Sequence, residues 1–274
     1  MKIGLVLGGG GARGFAHVGV LKSLEKRGYE PVAIAGCSMG GIVGGLIAAG
    51  YDSGRILAAV EKIKPWNLLD RGKMGSLIGG RGLAHQLGKY LPATFEELKI
   101  PLAVTAVDLQ GGSLVVLTDG PLAPALRGTS SIPGIISTEK HGDRYLIDGG
   151  LLNNLPVDVI RSMTHAPVLA VDVASPPDRR IPVDDSLIDR AKSVIKGQKR
   201  PLTFEMFMKA FDIPAAMLTA SRLALNPPDL LIRPRLDPDL KTEDMKRFAE
   251  AVDAGFVAAE AALEKVPNKL EPRD

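Results

Sequence analysis

The sequence predicts an α/β fold in three layers (α/β/α), with helices on both faces of a central, mostly parallel sheet. Two observations carry this. Twice within the first 50 residues a short apolar run passes through a glycine turn into helical spacing, the order in which a parallel sheet with covering helices is built. The composition, 45% hydrophobic and 24% charged over 274 residues, is that of a globular chain long enough to bury one large core. A single domain over residues 1–274 is therefore expected. Its motif-bearing part is residues 1–173, and flanking helices and a strand occupy 174–274.

Each element has a local reason. The apolar run Lys2–Leu7 reads as a buried strand, broken by four glycines, Gly8 to Gly11. Phe15, Val18, Leu21 and Leu24 then recur at helical spacing, and Gly28 closes a helix over 14–27. Residues 32–35 form the second strand, and a helix over 38–49 ends at Gly50. A third helix is expected over 52–63, loop over 65–82 and helix over 83–91. Strands are expected at 101–107 and Ser113–Leu117 around a polar turn, then a short helix over 121–127. A strand at 144–147, a helix over 156–163 and a buried strand at 168–173 complete the first part. After three prolines in 176–182, helices are expected over 186–197, 204–225 and 241–263, with a strand at Leu230–Ile232. Pro227 and Pro228 end the helix 204–225.

Composition also excludes function classes. The net charge of +3 is too small for a nucleic-acid face, and 4% aromatics leave little to stack on bases. One cysteine, Cys37, permits neither an internal disulfide nor a thiolate-rich metal site. The apolar stretch near residue 1 is too short for a signal peptide, so a cytoplasmic location is expected. Residues 31–51 lack charge, but six glycines there favour strand, turn and buried helix over a membrane span.

Gly9, Gly10, Gly11, Ala12, Arg13 and Gly14 fit G-x-G-x-x-G between a strand and a helix. A dinucleotide-binding oxidoreductase would need an acid at the end of the second strand to hold a ribose. Glu30 precedes that strand, and Ser38 follows it. The loop has another use: glycine amides at a helix N-terminus converge on a developing oxyanion, and Gly10 and Gly11 are the candidates. A tight packing turn explains the loop equally well on its own.

Gly36, Cys37, Ser38, Met39 and Gly40 form G-x-S-x-G between an apolar strand and a helix, the setting of a nucleophile elbow. Ser38 is the expected nucleophile, and the Cys37 side chain is expected to point away into the core. For the base, His17, His85, His141 and His165 are the only histidines. His165 lies before a strand, at the wrong end of a parallel sheet for catalysis. His17 sits near the glycine loop, and a packing role is preferred for both. Asp148 ends a strand and precedes Gly149 and Gly150, a turn that exposes a carboxylate. Burial would raise its proton affinity. A plain turn aspartate remains the alternative at this point.

Together the blocks GGGxRG at 9–14, GxSxG at 36–40 and DGG at 148–150 resemble the patatin-like phospholipase family. Residues 127–133, RGTSSIP, are similar to its arginine–serine–proline block, and Asn154 and Pro156 match an extension of the DGG motif. The resemblance is closest to compact bacterial members related to the neuropathy-target-esterase branch. It implies a patatin-like three-layer fold and a serine acyl hydrolase with a Ser38–Asp148 dyad, oxyanion donors in the loop of Gly10 and Gly11, and neither metal nor cofactor. The implied substrates are phospholipids, lysophospholipids or simpler carboxylic esters, with a general short-chain carboxylesterase as the runner-up. Met39, Gly128 and Thr129 depart from the usual family residues and are expected to alter pocket shape.

The segment 204–225 is rich in Phe, Met and Leu and follows Lys192, Lys196, Lys199 and Arg200. Packing in the core or against a second copy, giving a homo-oligomer, is the preferred expectation. Peripheral contact with an anionic membrane is the other.

Overall fold

The computed structural model describes residues 1–62, 79–174, 202–237, 239–240 and 244–266. The expected helix at 186–197, the basic residues Lys192, Lys196, Lys199 and Arg200, and most of the expected loop at 65–82 lie outside the described residues. The strands are β1 (Lys2–Leu7), β2 (Glu30–Cys37), β3 (Leu102–Asp108), β4 (Ser113–Leu117), β5 (Glu139–His141), β6 (Arg144–Asp148), β7 (Val168–Val171) and β8 (Leu230–Ile232). They form one sheet in the order β5-β6-β3-β2-β1-β7-β8, with β4 also on β3. The run β3-β2-β1-β7-β8 is parallel, and β4, β5 and β6 are antiparallel additions.

The helices are α1 (Ala16–Lys26), α2 (Met39–Ala48), α3 (Ser53–Lys62), α4 (Arg81–Leu87), α5 (Leu122–Thr129), α6 (Gly150–Asn153), α7 (Val157–Met163), α8 (Leu202–Leu225) and α9 (Phe248–Leu263). Strand side chains alternate between faces, and the two cores follow that alternation. Leu5, Leu7, Ile34, Leu169 and Val171 join the larger core beneath α1, α2, α5 and α9. Val6, Ala33, Ala35, Val168 and Ala170 join the smaller one, with Val157 and Ile160 of α7 and Leu223 of α8. This is the expected α/β/α layering.

Two differences from the sequence reading have local causes. The first helix begins as a 3₁₀ turn at Gly11–Phe15 because the glycine loop feeds it a left-handed residue, Gly11 at φ 55. Strand β5 was not legible: Glu139–His141 is three residues long and half-buried, and pairs only with β6. The C-terminal segment joins the rest through β8 and through α9, which lies on α1.

Candidate active site

Strand β3 sets the site. Its residues Leu102–Thr105 pair with β2, and Ala106–Asp108 pair with β6, while β4 pairs with Val104–Asp108. A strand has two edges, and β4 overlaps both partners, so β2 and β6 share the opposite edge. Cys37 stands across from Thr105, and Asp148 stands across from the next residue, Ala106. The end of β2 and the end of β6 thus meet head-on, which brings Ser38 and Asp148 together from 110 residues apart in sequence.

Ser38 is the only non-glycine residue with positive φ among the described residues, at φ 52 and ψ −124. Such a backbone costs on the order of 1–3 kcal/mol and persists only where its surroundings fix it. Here its amide donates to the Thr129 hydroxyl at 2.9 Å, and that hydroxyl donates to the Thr105 carbonyl at 2.6 Å. The elbow also needs Gly40, because a Cβ there would lie 2.0 Å from the Leu7 carbonyl oxygen.

Asp148 is 3% exposed. Burial raises its pKa to about 6, partly offset by hydrogen bonds from the Gly150 amide, the Ser38 hydroxyl and the Cys37 thiol. The Gly150 N–H donates to Oδ1 at 2.8 Å, and Cys37 Sγ is 3.8 Å from the same oxygen. Cys37 is buried, as expected, but it is no mere core filler. Because β2 and β6 abut on β3, its side chain reaches the carboxylate.

The glycine loop closes the site from β1. The Gly8 and Gly9 amides donate to the carbonyls of Val171 and Asn154, and Asn154 Nδ2 donates to the Gly9 carbonyl at 3.2 Å. Among the described residues, no hydrogen bond engages the amides of Gly10 and Gly11. Arg13 is buried, and its Nε donates to the Val173 carbonyl at 2.9 Å. It clamps the loop to the end of β7. His17 Nε2 lies 2.7 Å from the Gly8 carbonyl oxygen, and burial lowers the His17 pKa to about 4. The ring is neutral and braces the loop.

A cavity of about 560 Å³ opens over these elements. Of the expected site residues, Gly9, Gly10, Gly11, Arg13, Ser38, Asp148 and Gly150 line it. Ala12, Gly14, Gly36, Cys37, Met39, Gly40 and Gly149 do not line it. Met39, Gly128 and Thr129 are not on its wall either, which corrects the expectation that they set pocket shape. Thr129 braces the elbow, Met39 packs where Gly14 leaves room, and Gly128 lies against Leu146. The sequence reading missed the opposite wall, formed by Met208, Phe211, Ala215 and Thr219 of α8, and the lip at Arg233, Pro234 and Arg235. The apolar richness of 204–225 was the available signal for the former. Among the described residues no cluster of side chains is arranged to hold a metal ion.

A family model described as patatin-like phospholipase matches residues 5–161. An uncharacterised NTE family protein of Mycobacterium tuberculosis is 37% identical over 176 residues, covering 63% of this chain and 49% of that protein. A second from the same organism is 31% identical over 290 residues, covering 97% and 47%. Lysophospholipase NTE1 of Kluyveromyces lactis is 28% identical over 291 residues, covering 98% and 20%. The chain spans about half, or less, of the length of these relatives. Among solved structures, VipD from Legionella pneumophila shares the fold, with a TM-score of 0.56 at 15% identity over 96% of this chain and 66% of that one.

Proposed function

The chain belongs to the patatin-like phospholipase family, and from that premise we propose that it hydrolyses acyl esters of lysophospholipids or phospholipids through a Ser38–Asp148 dyad. The supporting observation is the meeting of β2 and β6 on one edge of β3. There Ser38 lies beside a buried carboxylate whose pKa is about 6, and its hydroxyl helps to hold that pKa down. Such a carboxylate is ionised at neutral pH and still basic enough to take a proton. Ser38 attacks the ester carbonyl as Asp148 accepts its proton. The amides of Gly10 and Gly11 hold the oxyanion. Asp148 returns the proton to the departing alcohol, then activates water to release the fatty acid from the acyl-enzyme. The acyl chain lies along Met208, Phe211 and Ala215. The dinucleotide reading of the glycine loop finds no support in the family match.

Ser38→Ala is the direct test, on a panel of lysophospholipid, phospholipid and short p-nitrophenyl esters. Turnover of lysophospholipid should fall to background, and a fluorophosphonate should label Ser38 alone. Turnover by the folded variant at the wild-type rate would overturn the assignment. Preference for the short esters would favour the carboxylesterase reading.

We further propose that α8 docks on a lipid surface. One side of this helix lines the cavity, while Met206, Ile213 and Met217 form an exposed apolar stripe on it, with Met217 64% exposed. The helix is thus neither wholly core nor wholly surface. No helix among the described residues is long and apolar enough to cross a membrane. Met217→Glu should reduce sedimentation with anionic vesicles. Unchanged binding, or loss of a dimer in its place, would count against the lipid surface.

A further inference from the structure

The cavity has a polarity that the dyad does not explain. Its floor holds Ser38 and Asp148, and its α8 wall is largely apolar apart from Asp212 and Thr219, but its lip carries Arg233 and Arg235. These residues follow β8, at the same carboxyl end of the sheet as the elbow. Pro234 between them is buried, and its carbonyl accepts from the Leu236 amide at 3.0 Å, so the chain turns at Arg235. Arg233 and Arg235, on either side of that proline, both line the cavity.

The two arginines differ in their partners. Arg233 Nε donates to Asp172 Oδ2 at 3.1 Å, and Asp172 also accepts from the Ala174 amide, so this guanidinium is held in place at the end of β7. Arg235 is exposed and has no ionic or hydrogen-bonding partner among the described residues. The other charged groups on the cavity are accounted for. Arg13 is committed to backbone carbonyls, Asp148 is in the floor, and Asp212 on α8 has bonds of its own. Among the described residues, Arg235 is therefore the surplus positive charge at the mouth.

An acyl ester seated with its carbonyl at Ser38 has two ends. The acyl chain takes the apolar α8 wall. The alcohol portion is left facing the lip, where planar guanidinium groups match the oxygens of a phosphate. We propose that Arg235, with Arg233 fixed beside it, binds the phosphate on the alcohol portion of the substrate. The site thereby selects phosphate-bearing lysolipids over neutral acylglycerols. This rests on the ester-hydrolase reading above and adds the group that the mouth recognises.

The test uses decanoyl substrates below their micelle concentration, so that a charged lipid surface plays no part. The ratio of kcat/KM for decanoyl lysophosphatidylglycerol to that for monodecanoylglycerol is measured for wild type, Arg235→Ala, Arg235→Lys and Arg235→Glu. The ratio should fall about tenfold in Arg235→Ala, as expected for loss of a charge-assisted contact at a wet site. It should fall further in Arg235→Glu, recover in part in Arg235→Lys, and move mainly through KM. An unchanged ratio in Arg235→Ala would overturn the proposal. Failure of the hydrolase reading looks different: neither substrate is turned over, or Ser38→Ala matches wild type. A binding arm remains decisive in that case. Glycerol 3-phosphate should raise the melting temperature of the Ser38→Ala protein, and should not do so when Arg235→Ala is added. Equal protection of both proteins, or equal protection of the first by inorganic phosphate alone, would show a general anion effect and reject the head-group site.

Discussion

Two regions of the molecule use close backbone approach to opposite ends. At the rim of the sheet, the glycine loop, the elbow and the end of β6 converge on Ser38 and Asp148. At the seam between α1 and α9, Gly19 and Gly255 let two helices touch. A Cβ on Gly19 would lie 1.8 Å from the Val252 carbonyl oxygen, and one on Gly255 would lie 2.0 Å from that of Ala16. The seam is settled. Phe15 and Phe248 stack edge to face at 5.9 Å, and Glu260 receives Ser23, Lys26 and Arg27. The rim carries a left-handed serine, two uncommitted amides and a buried carboxylate. Their carboxylates express the contrast: burial lifts Asp148 to about 6, while hydrogen bonds from Arg27 and Ser23 pull Glu260 down to about 2. One is held ready to gain a proton, the other to keep its charge. Poised chemistry is concentrated at the rim, and the seam supplies stability.

The largest effect that separates the two regions is expected from Asp148→Asn. If Asp148 is the general base, as proposed, its loss should lower kcat by about 10²–10⁴-fold. In the wild type, activity should fall on the acid side through about pH 6 as Asp148 takes its proton, and that limb should vanish in the variant. Stability should move the other way. The folded pKa of about 6 lies above the unfolded value near 3.8, so between these pH values the unfolded chain binds fewer protons, and stability falls as pH rises. The cost is complete above about pH 6 and is of order 2–3 kcal/mol. Asp148→Asn should therefore melt no lower than wild type at pH 8, and any advantage should disappear below pH 4. A marked loss of stability at pH 8 would show that the carboxylate holds the fold together.

The reverse experiment is Gly255→Ala at the seam. The added methyl must push α9 off α1, an overpacking cost of about 1–3 kcal/mol. The melting temperature should drop by about 5 °C, with kcat of the remaining folded enzyme unaltered. A fall in kcat without a fall in melting temperature would mean that the two regions are coupled.

Much of the rim was legible because its parts are local. The strand–glycine–helix order over residues 2–49 and the three motif blocks each lie within a short window, and the structure brings Ser38, Asp148 and Gly10 to one cavity. What was not legible depends on pairing across the chain. No window around Cys37 or Asp148 reveals that both lie along one edge of β3. The Thr129 hydroxyl under the Ser38 amide is 91 residues away in sequence. Arg233 and Arg235 follow a three-residue strand whose place beside β7 no local pattern gives. The α8 wall was half legible: its apolar richness was plain, but which side faces the cavity is set by packing on α6 and α7.

A smaller effect tests how finely the rim is tuned. The Cys37 thiol donates to Asp148 Oδ1 and holds the carboxylate pKa down. Cys37→Ala removes that donor while the Gly150 amide keeps its own bond. The acid limb of the pH–rate profile should move to higher pH. A limb that stays in place would assign Cys37 to packing alone.

The smallest effect belongs to the seam. Glu260→Gln removes the charge that Lys26 and Arg27 share, at distances of 3.2 and 3.1 Å. The pair is near the surface, where solvent and salt screen such contacts and long side chains lose entropy in making them. The folded pKa of about 2 lies below the unfolded value of 4.5. The stabilisation is therefore complete above about pH 4.5 and is lost as pH falls toward 2. Glu260→Gln should lower the melting temperature slightly at pH 7 in low salt, by less than Gly255→Ala does. The difference should shrink in 1 M salt and close near pH 2, and the pH–rate profile should keep its limb near 6. A shift of that limb would carry the influence of Glu260 through α1 to the glycine loop, and would dissolve the division between a poised rim and a settled seam.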